Sequence, residues 1–179
     1  MYYKKILAAA LTVSCIGGIV PANSVQAASL KIRYSGKTRY YKGKQLHVSY
    51  ANKNLSSKYV GIQINKVNMI PYYDYLVKQG PKVKRTYSKS SGKLILKNGD
   101  DTLTAYVGKR TYYLNGVKKT FSVAPTKVKY YKTKKTIILI PANAIVKGLG
   151  LNYKYSSSSK RIYITQPVIP SDSTTQVQT

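Results

Sequence analysis

Two Asn-Gly pairs, Asn98-Gly99 and Asn115-Gly116, constrain this chain more than any other local feature. Asn and Gly accept the positive φ angles of the two-residue loop whose twist matches paired strands. The first pair joins KLILK (93–97) to TLTAYVG (102–108), and the second joins RTYYL (110–114) to VKKTFSV (117–123). Strands joined by loops this short lie antiparallel.

A longer pattern occurs twice. IPYYDYLVKQGPKVKRTYSKSSGKLILK (70–97) and IPANAIVKGLGLNYKYSSSSKRIYIT (140–165) each run Ile-Pro, a short amphipathic stretch, a Gly, an extended segment, a Ser-rich turn and an apolar strand. Each follows a hairpin, KYVGIQI (58–64) with VNMI (67–70) across Asn65-Lys66, and TKVKYY (126–131) with TIILI (136–140) across Lys132–Lys135. Pro71 and Pro141 end a strand and suit a first helical turn. The expected helices are 72–78, closed by Gly80 as a left-handed cap, and 142–147, followed by Gly148 and Gly150. Both are too short to stand alone and need a sheet beneath them, through Tyr75 and Leu76 in one and Ile145 and Val146 in the other. The expected class is α+β, mainly antiparallel β, with twisted sheets built from a duplicated hairpin–short helix–hairpin unit at about 58–99 and 126–165. Ahead of it, LKIRYSG (30–36) and KQLHVSY (44–50) read as strands and Tyr41–Lys44 as a turn.

The ends read differently. Lys4 and Lys5 precede an apolar run, Ile6–Val20, then Pro21, Asn23 and the small-residue stretch to Ala27. This is the layout of a secretory signal over 1–27, cut between Ala27 and Ala28. A membrane anchor is the alternative, but the run is short for a span. Cys15 sits in a poor lipobox, and removal of the signal leaves no cysteine for disulfides or thiolate metal sites. The domain would occupy 28–165, and 166–179, rich in Pro, Ser, Thr and Gln, reads as a disordered tail.

The chain holds 31 Lys and Arg against four acids, Asp74, Asp100, Asp101 and Asp172. Without Lys4 and Lys5 the balance is 29 against four, or +25. Solubility needs far less, so the surplus points to a polyanionic partner. Apolar content of 43 % and 19 Tyr, with no Trp and one Phe, argue for a folded, strand-rich chain in which Tyr is the main large residue.

The segments AYVGKRTYYLNGVKKTFSVAP (105–125), KTKKTIILIPANAIVKGLGLNYKYSSSSKRIYIT (132–165) and, more weakly, NKVNMIPYYDYLVKQGPKVKRTYSKSSGKLILKNG (65–99) carry a resemblance. Together they resemble the copper amine oxidase N-terminal domain-like module, or stalk domain, of exported Gram-positive bacterial proteins, over roughly Gly43 to Thr165. The resemblance implies a small antiparallel sheet packed on short helices. It implies neither copper nor oxidase chemistry, because in amine oxidases this domain is an appendage apart from the catalytic one.

The residues offer little chemistry of their own. Acid–base catalysis needs paired carboxylates, or His with a carboxylate, in one cleft. Asp100 and Asp101 follow a turn signal and read as turn residues. His47 is the sole histidine and reads as a strand-face residue, so zinc or copper has no ligand set. Ser156–Ser159 reads as a loop. No catalytic, metal or cofactor residue is expected, and no cofactor.

The surface remains. Lys127, Lys129, Lys132, Lys134 and Lys135 cluster with Tyr130 and Tyr131, and Lys82, Lys84 and Arg85 precede Tyr87. Lys127 and Lys129 would share one strand face, as would Lys82 and Lys84. Basic groups interleaved with aromatics suit phosphate polymers or acidic glycans. Lysines on sheet edges also block aggregation, which accounts for some of them. The expected function is a secreted, non-catalytic, cell-wall-associated module binding an anionic polymer such as teichoic acid, with no membrane anchor after signal removal. An extracellular nucleic-acid binder is the alternative. A hydrolase is a distant third.

Overall fold

The computed structural model describes residues 29–168. The expected signal segment, its cleavage pair Ala27 and Ala28, and the tail from residue 169 lie outside the described residues. The described chain is mainly antiparallel β with two short helices. Its strands are β1 (Leu30–Tyr34), β2 (Lys37–Tyr41), β3 (His47–Tyr50), β4 (Lys53–Leu55), β5 (Ile62–Ile64) and β6 (Val67–Pro71) before the first helix, Tyr73–Gln79. Then come β7 (Lys84–Tyr87), β8 (Lys93–Asn98), β9 (Asp101–Tyr106), β10 (Thr111–Leu114), β11 (Val117–Thr120), β12 (Thr126–Tyr130) and β13 (Lys135–Pro141). Helix α1 (Ala142–Gly148), β14 (Asn152–Ser156) and β15 (Arg161–Thr165) complete the order.

Three sheets result. Six strands run β2-β1-β12-β13-β6-β5, five run β11-β10-β9-β8-β7, and four run β14-β15-β3-β4. The pair β15–β3 is parallel. Inside the six-stranded sheet, Ile70 of β6 lies opposite Ile140 of β13, flanked by Pro71 opposite Leu139 and Pro141 opposite Met69. The prolines sit at strand ends, where a missing N–H interrupts no ladder.

Alternation along β6 and β13 divides their side chains between two cores. Ile70 and Ile140 join the larger core, where they meet Tyr75, Leu76, Ile145 and Val146 of the helices, Leu94, Leu96 and Leu103 of the five-stranded sheet, and Val48, Ile162 and Ile164 of the four-stranded sheet. Met69 and Leu139 face the other way, into a smaller cluster with Ile32, Ile62, Val128 and Tyr130. The Tyr130 hydroxyl donates to the Val60 carbonyl at 2.6 Å, which ties the 58–60 segment over that second core.

Several local expectations change. The first helix is a π-helix, and Gly80 has φ −76°, so it is not a left-handed cap. Its N–H donates to the Tyr75 carbonyl five residues back, at 3.1 Å. A Cβ on Gly80 would run into that carbonyl oxygen, so glycine is required for close approach rather than for its φ. Gly150 does carry a positive φ, +69°, and a Cβ there would stand 2.6 Å from Asp101 Oδ2. Asn115 and Gly116 form the expected loop, with φ 49° and 81°. The other loop is shifted by one residue: Asn98 pairs with Asp101 inside the ladder, and Gly99 with φ +56° is the first loop residue. The Asn98 amide instead donates to the Leu149 carbonyl at 2.8 Å, satisfying the end of α1. The stretch read as strand 30–36 ends at Tyr34, because Ser35 and Gly36, both at positive φ, turn the chain into β2. Short β4 likewise follows β3 across Ala51-Asn52.

Gly80→Ala is expected to destabilise the fold by about 1–3 kcal/mol, through displacement of the Tyr75 carbonyl. The urea midpoint should fall with an unchanged denaturant slope, and an unchanged midpoint would refute the close-approach reading. Burial, followed by the Asp74 charge, pushes the Tyr75 hydroxyl from its ordinary 10.0 up to about 12, and burial raises Tyr130 as well. Both stay neutral in the folded chain while the unfolded chain ionises. Their stabilisation is complete below pH 10; the Tyr75 share is lost as pH climbs toward 12, and the Tyr130 share keeps falling at higher pH. Urea midpoints should therefore be flat across neutral pH and drop in this alkaline window.

Candidate functional site

β1 and β12 pair antiparallel, with Ile32 opposite Tyr130 and Arg33 opposite Lys129. Ile32, Val128 and Tyr130 are buried in the smaller core. Alternation therefore throws Lys31, Arg33, Lys127 and Lys129 to the opposite face. β2 extends this face with Thr38 opposite Arg33 and Tyr40 opposite Lys31, and β13 extends it with Thr136 opposite Lys129. The result is a basic face four strands wide.

Tyrosine rings hold its cations. Lys31 Nζ lies 5.5 Å from the Tyr40 ring centre and 5.1 Å from that of Tyr131, and Lys129 Nζ lies 5.4 Å from Tyr131. Such contacts are attractive even at exposed sites. The Tyr131 hydroxyl and Thr38 Oγ1 are 2.9 Å apart. That hydrogen bond, aided by the charges of Lys129, Arg33 and Lys31, lowers the Tyr131 pKa below its ordinary value.

Beside this face, a cleft of about 640 Å³ separates the six-stranded sheet from the tip of the β7–β8 hairpin. Arg33, Lys127 and Lys129 line one wall; Lys89, Ser90 and Ser91 line the other. Ser35, Thr126 and Thr136 add hydroxyls, and no carboxylate lines it.

The structure does not bring all the expected basic residues together. Lys127 and Lys129 share a face and line the cleft. Lys132 and Lys134 are exposed in the following turn, and Lys135 opens β13 opposite Tyr130. Tyr130 itself is 2 % exposed, so only Tyr131 of that pair belongs to the surface. Lys84 and Arg85 lie on β7 in another sheet, by a separate groove of about 340 Å³ with Lys97. Lys82 does not share a strand face with Lys84: it precedes β7 with φ +60°, and its ammonium donates to the Lys78 carbonyl. Arg85 packs over the Tyr73 ring, 4.7 Å from its centre. Lys31, Arg33 and Lys89 were not among the expected residues. The alternation in LKIRY was the available signal for the first two; nothing local marks Lys89, which a long-range approach of hairpins places in the cleft.

Two of the acids, Asp74 and Asp101, are engaged with neutral partners. Asp74, in the π-helix, accepts from the Ser57 hydroxyl, and Asp101 accepts from the Asn115 amide at 2.9 Å. His47 is exposed on β3. Among the described residues there is no group of three or more His, Cys, Asp or Glu placed to hold a metal. No helix among them is long and apolar enough to cross a membrane.

Residues 51–164 match the family model of the copper amine oxidase N-terminal domain. The chain belongs to this family. In copper amine oxidases the domain so named is a non-catalytic stalk. No curated protein and no solved structure matches the chain. The family match begins at residue 51, so β1 and β2, which supply Lys31, Arg33 and Tyr40 to the basic face, precede the matched region.

Tyr131 should be among the first tyrosines to ionise in an alkaline ultraviolet titration, and Tyr131→Phe should remove that early step. Since the hydrogen bond is the largest cause, Thr38→Val should raise the Tyr131 pKa more than Lys129→Gln does. The reverse order would show that charge, not the hydrogen bond, dominates.

Proposed function

We propose that this chain is a secreted, non-catalytic module of the exported Gram-positive type, held at the cell wall by attraction between its basic surface and an anionic polymer such as teichoic acid. The observation that carries this reading is the charge: residues 29–168 hold 29 Lys and Arg against three Asp. The signal-like leader, the family match and the acid-free cleft support it. The engagement of Asp74 by the Ser57 hydroxyl and of Asp101 by the Asn115 amide, both neutral partners, supports a non-enzymatic role.

Nucleic acid is the second reading, favoured by one observation: Tyr40 is 57 % exposed beside Lys31 and offers a ring for base stacking. It ranks lower because Tyr40 and Tyr131 already carry lysine ammonium groups against their rings.

The architecture is read as a duplicated unit. Positions seventy residues apart play the same parts: Ile70 and Ile140 face each other, Pro71 and Pro141 end strands, and Tyr72, Tyr75 and Leu76 are buried as Ala142, Ile145 and Val146 are. A two-fold relation between two copies would set equivalent isoleucines opposite each other, as Ile70 and Ile140 are.

Purified cell walls should retain the protein at low salt and release it steeply as salt rises, since exposed charges are screened over about 8 Å at physiological ionic strength. Walls stripped of teichoic acid should retain much less. Retention that ignores salt, or no retention, sinks the proposal; preferential elution by DNA over teichoic acid would install the second reading.

A further inference from the structure

We propose that the cleft formed by Arg33, Lys127 and Lys129 on one side and Lys89, Ser90 and Ser91 on the other is a defined binding site for a phosphodiester chain. This rests on the polyanion reading above and localises it to one place among many lysines.

Four cations from three distant parts of the sequence line one open cleft that holds no carboxylate. Like charges gathered this way repel one another, and nothing in the cleft neutralises them. A polyanion would. Arg33 and Lys129 are cross-strand neighbours, and Lys127 lies two residues from Lys129 on the same face. Two strand residues advance the chain by about 6.6 Å. That step is comparable to the spacing of successive phosphates along an extended phosphodiester chain, so neighbouring phosphates can meet neighbouring cations. Lysine serves as a point-charge partner for phosphate, and Ser and Thr hydroxyls can donate to the remaining phosphate oxygens.

The groove beside β7 gathers fewer cations, Lys84, Arg85 and Lys97. Lys82 is engaged with a backbone carbonyl. Lys132 and Lys134 stand on a turn and do not line the cleft. On the same strand face, Lys31 and Lys129 are held against the Tyr131 ring.

The probes are a synthetic poly(glycerol phosphate) and, for comparison, a polycarboxylate of similar length and charge. One variant removes the cleft cations (Arg33→Ser, Lys89→Ser, Lys127→Ser, Lys129→Ser). A control removes four cations elsewhere (Lys58→Ser, Lys118→Ser, Lys119→Ser, Lys154→Ser). The two variants have equal net charge, and melting curves verify that both fold. The cleft variant should lose at least tenfold in affinity for poly(glycerol phosphate), with a salt slope smaller by about three, against little change in the control. In the unaltered protein, bound polymer should protect Lys89, Lys127 and Lys129 from chemical acetylation more than Lys118 or Lys154. That measurement stands even if the cleft variant fails to fold. Equal losses in the two variants with even protection would overturn the site while leaving general charge attraction intact. Equal affinity for the polycarboxylate would overturn the phosphodiester assignment. No binding of the unaltered protein to either polymer would overturn the functional proposal itself.

Discussion

The structure depends on one strand pair. β6 and β13 meet with Ile70 opposite Ile140, and both faces of the pair are buried. Because side chains alternate, Ile70 and Ile140 support the helices and the two smaller sheets, while Met69 and Leu139 support the second core. Slipping this register by one residue would exchange the faces and place the wrong side chains in each core. The prolines that follow limit how far the pair extends, and both helices leave the sheet directly from it. Fifteen strands in three sheets are thereby tied to one junction.

The chain then has to place many cations with few counter-charges. It does so with neutral partners. Among the described residues, six cation–π contacts involve five tyrosines: Tyr34, Tyr40, Tyr73, Tyr106 and Tyr131. Arg161 donates to Ser49 and Asn54, and Arg110 donates to the Phe121 carbonyl. A tyrosine ring is a weaker partner than a carboxylate, but it leaves the positive charge uncancelled. This offers a physical account of a Tyr-rich, acid-poor composition: the rings position the cations and preserve the field. Outer strands also carry charge, as with Lys118 and Lys119 on β11, Lys154 on β14 and Lys84 on β7, which discourages edge-to-edge pairing.

Much of the strand order was legible because it is local. The hairpins across Asn65-Lys66 and Asn115-Gly116, the proline ends of β6 and β13, and helix α1 follow from turn chemistry and alternation. The misreadings arose where a tertiary contact outweighed a local preference. Asn98 stays in the ladder because its amide is needed at the end of α1. Gly80 serves the Tyr75 carbonyl rather than a left-handed cap. Tyr130 leaves the surface because β12 alternates onto the second core. The candidate site was legible in half: Lys127 and Lys129 stand out by spacing, whereas Arg33 and Lys89 reach the same cleft only through folding.

The sequence by itself determined the antiparallel hairpins and the extreme charge, since turn residues and alternation act over a few positions and charge is a matter of composition, and its segments carried the resemblance to the family. The tertiary structure alone decided which lysines become neighbours. Pairing β1 with β12 and bringing the β7–β8 tip alongside requires contacts between residues about forty to one hundred positions apart, whose register is set by buried side chains on the opposite face. Local pattern carries no information about that approach, and the cleft that gathers these four cations exists because of it.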